Sequence, residues 1–244
     1  MVDPAAAVPD LLWEGPDAPV PVQAPVLVLA HGAGAAMDSD WMNRMCALLA
    51  ERGIRTARFE FAYMAARRSG SRKPPPRAET LAGEYRAAVR AVQVVLASQV
   101  APGHSVSPAG SGSSAVAIGG KSMGGRVASL VADELHAAGS VAALVCLGYP
   151  FHPPGSPEKL RTSHLEHLET PALIVQGARD PFGTREEVLG YPLDPRIRVH
   201  WLDDGEHEFK PRVKISGHTH AEHLAAAADE VAAFLHETMR SHVV

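Results

Sequence analysis

The stretch Ala115-Val-Ala-Ile-Gly-Gly-Lys-Ser-Met-Gly-Gly-Arg126 decides the reading of this chain. A short apolar run enters it, a helical pattern with Val127, Val131 and Leu135 leaves it, and between them lies Gly120-x-Ser122-x-Gly124. A three-residue pattern is weak by itself and fits a glycine-rich connection to a helix. Its strand-before, helix-after setting is that of a sharp turn displaying one serine above a sheet. In so tight a turn the serine takes a strained backbone conformation, and side chains two residues before and after it would collide. Glycine is therefore demanded at both places. The hydroxyl then stands free, and the amide of Met123 points at the same spot from a helix N-terminus, where a developing oxyanion would be stabilised. Gly120-Lys121-Ser122 also matches the end of a phosphate-binding loop. That motif needs a glycine where Ala115 stands and a flexible loop where Val116-Ala-Ile118 reads as strand, which argues against it.

Outward from this stretch, short apolar or β-branched runs alternate with helical patterns. Strands are predicted at Val26–Ala30, Ala57–Phe61, Ala115–Gly119, Val141–Leu147, Ala172–Gln176 and Ile197–Leu202, with a further short one near Leu11–Trp13. Leu81, Tyr85, Ala88, Val92 and Val95 fall on one helix face, as do Leu224, Ala228, Val231 and Leu235. Alternation of this kind predicts an α/β fold, a mostly parallel sheet with helices on both faces. Residues 65–78, with a triple proline, and the Ser/Gly-rich residues 104–114 read as loops. No repeat or composition shift divides the chain, so residues 1–244 are read as one domain.

A serine hydroxyl needs a base to take its proton and an acid to fix that base's tautomer. Asp180 follows the fifth strand candidate in a Gly/Pro turn, and His207 follows the sixth in another. Each alone reads as a turn residue. Both, however, sit just past C-terminal strand ends, where ligands meet an open parallel sheet, and Ser122, Asp180, His207 is one of the chain orders known for such triads. Asp203 and Asp204 lie within the histidine's own turn and are assigned to it. The loop after the first core strand, His31-Gly-Ala-Gly34, predicts a second oxyanion donor in the amide of Ala33, with His31 structural.

With these residues in place the chain resembles the α/β-hydrolases. It is similar in particular to their small bacterial dienelactone-hydrolase-like branch, related to the testis-expressed hydrolase-like protein and a chromatin-complex regulatory subunit. The resemblance runs over about residues 24–240 and rests on His31-Gly-Ala-Gly34, Gly119-Gly-Lys-Ser-Met-Gly-Gly125, Leu147-Gly-Tyr-Pro-Phe-His-Pro-Pro154, Gln176-Gly-Ala-Arg-Asp-Pro-Phe-Gly183 and the turn around His207. It implies the α/β-hydrolase fold, an intact Ser122/Asp180/His207 triad and a serine hydrolase of the carboxylesterase kind. Scaffold subunits among its eukaryotic relatives give the alternative, a non-catalytic interaction protein. Tyr149–Thr170, where many hydrolases carry a lid, is too short for a helical cap domain, so the site is expected to be open and to favour small or exposed acyl groups.

Composition bounds the partners. Forty-six per cent hydrophobic residues allow a sizeable core, and a formal charge of −4 gives no global attraction for nucleic acid or an anionic membrane. The longest apolar runs fall short of a membrane span and the N-terminus lacks a secretory pattern, so a cytoplasmic protein acting on a small-molecule ester is expected. Cys46 and Cys146 lack metal-ligand spacing and read as buried thiols. His218-Thr-His220-Ala-Glu-His223 superficially resembles a metal motif, but it runs into the C-terminal helix, and no metal or cofactor is expected. Arg67, Arg68, Arg72, Lys73, Arg77, Lys210, Arg212 and Lys214 are expected to form a positive rim on the C-terminal face.

Overall fold

Leucine and valine alternate along Val26-Leu-Val-Leu-Ala30, yet all five side chains are buried, because both faces of this strand are covered. Leu27 and Leu29 point into one apolar layer and Val26, Val28 and Ala30 into the other. The structure, a computed structural model, describes residues 9–16, 24–70, 73–99 and 116–240. The loop predicted at 104–114 lies outside them, as does Arg72.

Seven strands form one sheet: β1 (Leu12–Glu14), β2 (Val26–Ala30), β3 (Arg55–Phe59), β4 (Val116–Lys121), β5 (Val141–Leu147), β6 (Ala172–Gly177) and β7 (Ile197–Leu202). Their spatial order is β1-β3-β2-β4-β5-β6-β7, and only β1 runs antiparallel. Helices α1 (Asp40–Glu51) and α7 (His220–Arg240), the latter preceded by the short helices α5 (Arg185–Val188) and α6 (Val213–Ser216), cover one face, packing Met45, Leu49, Leu224 and Val231 on Leu27, Val145 and Val175. Helices α3 (Ala82–Gln99) and α4 (Met123–Ala137) cover the other, with Val89, Val92, Val127 and Val131 on Val28, Ile118 and Leu144. This is the α/β-hydrolase fold expected from the sequence.

Two differences have physical causes. The second core strand is Arg55–Phe59, two residues earlier than predicted, because β1 pairs with polar Thr56 and Arg58. Arg58 is buried, with Glu14 at 2.7 Å and Asn43 and the Met37 carbonyl as further acceptors. The expected loop at 65–78 begins inside a short helix, α2 (Ala62–Arg68), whose first amide donates to Glu84 at 2.6 Å. Tyr85, read as an apolar face residue, also works through its hydroxyl. It accepts from the Gly119 amide at 2.8 Å and lies 2.9 Å and 2.7 Å from the Val28 and Gly119 carbonyls, so α3 grips β2 and β4 together.

The chain steps from β2 outward to β3 and returns to place β4 on the other side of β2. The loops after β2 and β4 therefore leave the sheet side by side, in register at Ala30 and Gly120. That reversal point is where an open parallel sheet opens a crevice.

Candidate active site

Ser122 joins β4 to α4 at φ 51°, ψ −117°, a conformation costly for any residue with a side chain. Its amide donates to Leu147 O at 2.9 Å, and its carbonyl accepts from the Arg126 amide at 3.1 Å, which starts the helix. A side-chain carbon at Gly124 would lie 2.6 Å from the carbonyl oxygens of Ala30 and His31, and one at Gly120 would lie 2.6 Å from the Gly125 nitrogen. Glycine at both places is a steric requirement here. Met123 is the first residue of α4, so its amide is one the helix cannot pair internally.

Asp180 and His207 are brought to the same serine. Ser122 Oγ lies 2.9 Å from His207 Nε2, and His207 Nδ1 lies 2.8 Å from Asp180 Oδ2. A carboxylate only accepts, so Nδ1 carries the proton, and Nε2 is free to accept from the serine. Asp180 is wholly buried. Its oxygens take hydrogen bonds from the Phe182 amide at 2.9 Å and Gln176 Nε2 at 3.1 Å as well as from the imidazole. The Phe182 ring lies 4.3 Å from the imidazole centroid to centroid and limits its swing.

The His207 turn is built from remote parts of the chain. Asp204 and Phe209 both take positive φ, 55° and 67°. Arg212 pairs with Asp204 and holds its carboxyl down to about 2, while Arg179 Nε donates to the Asp204 carbonyl at 2.7 Å. The Glu208 carbonyl accepts from Trp41 Nε1 at 3.1 Å and His220 Nε2 at 2.8 Å, and the Phe209 carbonyl accepts from His223 Nδ1 at 3.0 Å. A side chain at Gly177, where β6 ends, would strike the carbonyls of Gly205 and Glu206, so the Asp180 loop and this turn touch backbone to backbone. Lys121 enters from β4, its Nζ donating to the His207 carbonyl at 2.9 Å.

In the loop after β2, a side-chain carbon at Gly32 would lie 3.8 Å from Ser122 Cβ, so this loop passes beside the serine, and Ala33 follows. His31 is buried, its Nδ1 donating to Gly32 O at 2.7 Å while Nε2 accepts from the Phe61 amide at 3.2 Å. Those two partners require the neutral ring, and burial moves its pKa down to match. The Tyr63 hydroxyl reaches the Ala33 carbonyl at 3.1 Å, and burial pushes this phenol up to about 12, so it remains a donor.

Some residues expected at the site behave differently. Arg68 is held between Asp38 and Glu60 at 2.7 Å each, and Arg212 is committed to Asp204. Arg67 lies 5.4 Å above the Tyr63 ring. The expected positive rim is reduced accordingly, to exposed Lys73, Arg77, Lys210 and Lys214. In the His218–His223 run, Glu222 caps α7 through Thr219 at 2.6 Å, and His220 and His223 brace the His207 turn. Among the described residues no three His, Cys, Asp or Glu side chains are grouped to hold a metal ion. Both cysteines are free and buried.

Sequence reasoning missed Gln176, Tyr63 and Lys121 as parts of the site. Gln176 and Lys121 carried a signal: each is a polar residue near the C-terminal end of an otherwise apolar, buried strand. Tyr63 carried none, since its role depends on where α2 lands.

The segment from Gly148 to Pro171, above the site, holds one 3₁₀ turn, Ser163–Leu165, and no α-helix. No described helix is long and apolar enough to cross a membrane.

The model of the family described as alpha/beta hydrolase domain matches residues 23–236. Among solved structures the chain is similar to a dienelactone hydrolase from Anabaena variabilis, at 19% identity and TM-score 0.66 over 93% of this chain and 91% of that one. It is also similar to a serine hydrolase without lid from Xanthomonas campestris, at 17% identity and TM-score 0.56 over 95% and 88%. An esterase of Pyrococcus furiosus matches at 13% identity and TM-score 0.61 over 89% and 84%. At these identities the likeness concerns the fold. No curated protein matches the chain in sequence.

Proposed function

The chain belongs to the alpha/beta hydrolase domain family, and we propose that within it this is a serine hydrolase, a carboxylesterase working through an acyl-enzyme. The observation that carries the proposal is the unbroken relay from buried Asp180 through His207 to a serine held at positive φ, with separations of 2.8 Å and 2.9 Å. As Ser122 Oγ bonds to the ester carbonyl carbon, its proton passes to His207 Nε2. The carbonyl oxygen becomes an oxyanion facing the amides of Met123 and Ala33. The bond to the leaving oxygen then breaks, the proton from His207 goes to that oxygen, and the acyl group stays on Ser122. His207 next takes a proton from water. The hydroxide attacks the acyl carbon, and the carboxylic acid leaves as Ser122 regains its proton. Asp180 holds the imidazole in the tautomer both halves need.

The proposal extends to the substrate. A Gly148–Pro171 segment without a helical cap leaves the serine reachable, which favours small or exposed acyl groups, in keeping with the description of one structural neighbour as lidless. Kinship with the small dienelactone-hydrolase-like branch, action as a single domain, independence of cofactors and a cytoplasmic location complete the reading. A fluorophosphonate probe tests it without knowledge of the substrate: the adduct should map to the peptide containing Ser122 and vanish in folded Ser122→Ala. An adduct elsewhere, or none on the folded wild type, overturns the proposal in favour of an interaction protein. A nitrophenyl ester series should favour short acyl chains. Activity rising with length, at about 0.8 kcal/mol per buried CH₂, would reveal an acyl tunnel instead.

A further inference from the structure

Lys121 is an expensive residue where it stands. It ends β4, all six of whose residues are buried, and its side chain is 6% exposed. An ammonium there forfeits its hydration, and burial pushes its pKa down. An apolar residue would continue the strand at lower cost. Its main chain runs directly into Ser122, while its side chain reaches the turn that holds the base, 86 residues further on.

The surroundings of Nζ are specific. It donates to the His207 carbonyl at 2.9 Å, lies 3.2 Å from Glu208 Oε1, and sits 5.4 Å from the centre of the Trp41 ring. Trp41 and His220 hold the Glu208 carbonyl in turn. A point one bond out from Gly148 is 3.3 Å from Nζ and 3.5 Å from His207 Cε1, so the ammonium is within about 7 Å of the imidazole edge. The charged groups acting on Nζ are Asp180 from the β6 loop and Glu206 and Glu208 from the turn, while Arg179 and Lys210 bring positive charge to the same turn.

We propose that Lys121 is a positioning residue for the serine chemistry proposed above: it ties the backbone of His207 to the strand that carries Ser122, so that nucleophile and base keep one spacing. The proposal rests on that reading of the site. It has a second consequence. The positive charge on Nζ opposes the pull of the neighbouring carboxylates on the imidazole. Lys121 touches no reacting atom, and its effect passes through His207.

The test compares wild type, Lys121→Met and Lys121→Arg. Two quantities are read: kcat and KM for nitrophenyl acetate, and the pKa of the His207 imidazole by NMR, its resonance identified among the thirteen histidines by its absence in His207→Gln. The Met variant should lose about 10- to 100-fold in kcat with KM within about twofold, as misplacement by about an ångström does. Its imidazole pKa should rise by about half a unit to one unit, with the acid limb of kcat/KM moving equally. The Arg variant should restore the pKa and most of kcat. If Lys121→Met does not fold, Lys121→Gln removes the same charge and serves for both measurements.

A folded variant with kcat and imidazole pKa unchanged overturns the proposal. So does a lower melting temperature alone, which marks simple packing, or a rise in KM alone, which marks a substrate contact. A wild type that neither labels nor turns over fails the serine-hydrolase reading. The imidazole titration still decides then whether Lys121 governs His207.

Discussion

Ser122 and His207 meet at 2.9 Å, yet the segments carrying them are held in opposite ways. The serine's turn is made almost wholly from its own neighbourhood: β4 before it, α4 after it, two obligatory glycines, and backbone bonds to Leu147 and Arg126. The histidine's turn, Leu202 to Lys210, has backbone bonds of its own, from Gly205 to Leu202, Glu206 to Lys210 and Phe209 to Glu206, and is held from outside as well. Trp41 of α1, Lys121 of β4, Arg179 after β6 and His220 and His223 of α7 each hold one of its carbonyls. Strain in the first is absorbed by a strand and a helix that continue it. In the second, the carbonyls of the positive-φ residues Asp204 and Phe209 are held by Arg179 and His223 from other parts of the chain. The nucleophile should therefore tolerate changes elsewhere in the chain, whereas the base should feel them.

The largest expected effect sharpens this contrast at the local end. Ser122→Ala should lower kcat/KM by about 10⁴-fold or more while leaving the melting temperature within about 2 °C, because the hydroxyl's partner is the His207 imidazole, which Asp180 also holds. Ser122→Gly should be equally inactive but more stable by about 1 kcal/mol, measured by urea unfolding, since glycine accepts φ 51° without strain. A serine variant that unfolds would break the contrast, because the turn would then depend on its own nucleophile. Next in size, Asp180→Asn should cost about 10³- to 10⁴-fold in kcat with the fold intact. Its amide can place a donor against Nδ1 and favour the wrong tautomer. Retained activity would mean that the turn orients His207 without the carboxylate.

Acid should strain both regions, through different histidines. His164 lies beside α4. Ser129 Oγ donates to the Arg126 carbonyl at 2.8 Å, so His164 donates from Nε2 to Ser129 Oγ at 2.8 Å, and burial holds its pKa near 4. His223, under the His207 turn, is also lowered, chiefly by burial. In the unfolded chain both protonate near 6.5. Between those limits the unfolded state binds more protons, so this stability is complete above about pH 6.5 and is lost as pH falls towards the folded values. For His164 the loss between pH 7 and 4 should be about 2 kcal/mol after allowance for its partial exposure. Urea midpoints against pH should flatten in His164→Gln by that amount. In His223→Gln the change should appear as weaker ester hydrolysis as well, because the Phe209 carbonyl loses its ring donor. Equal slopes in all three proteins would remove histidine burial as the cause.

The same contrast explains what was legible in the sequence. Six core strands, the helix faces and the serine in its turn are contiguous patterns, in which the strand period and two glycines carry the geometry. Asp180 and His207 were legible only as turn residues past strand ends in a suggestive order, and their meeting had to be seen in space. Lys121 read as a letter of a rival motif, because its partner lies 86 residues away. The His218–His223 run read as a metal-like spacing for the same reason: its nitrogens serve carbonyls at 208 and 209. The paired state of Arg68 and Arg212 was equally hidden, since charge counted along a loop does not show Asp38, Glu60 or Asp204 beside it.

The smallest effect is expected at the loop after β2, which belongs to neither class. Gly32 and Gly34 would each admit a side-chain carbon without a clash, unlike the glycines of the serine's turn, and the loop is gripped by His31 from within and by Tyr63 from α2. Tyr63→Phe removes only the hydroxyl that reaches the Ala33 carbonyl at 3.1 Å, leaving the ring and Arg67 above it. If the Ala33 amide helps to hold the oxyanion, freeing the opposite side of the same residue lets that donor wander, and the transition state suffers more than the bound ester. The result should be a three- to tenfold fall in kcat with KM within about twofold, below the ~10²- to 10³-fold that full loss of such a donor costs. Phenol ionisation adds nothing to the pH profile below about 10, because Tyr63 keeps its proton there. A fall of 10²-fold or more would place the hydroxyl itself at the oxyanion, and no fall would show that His31 holds the loop without help from α2.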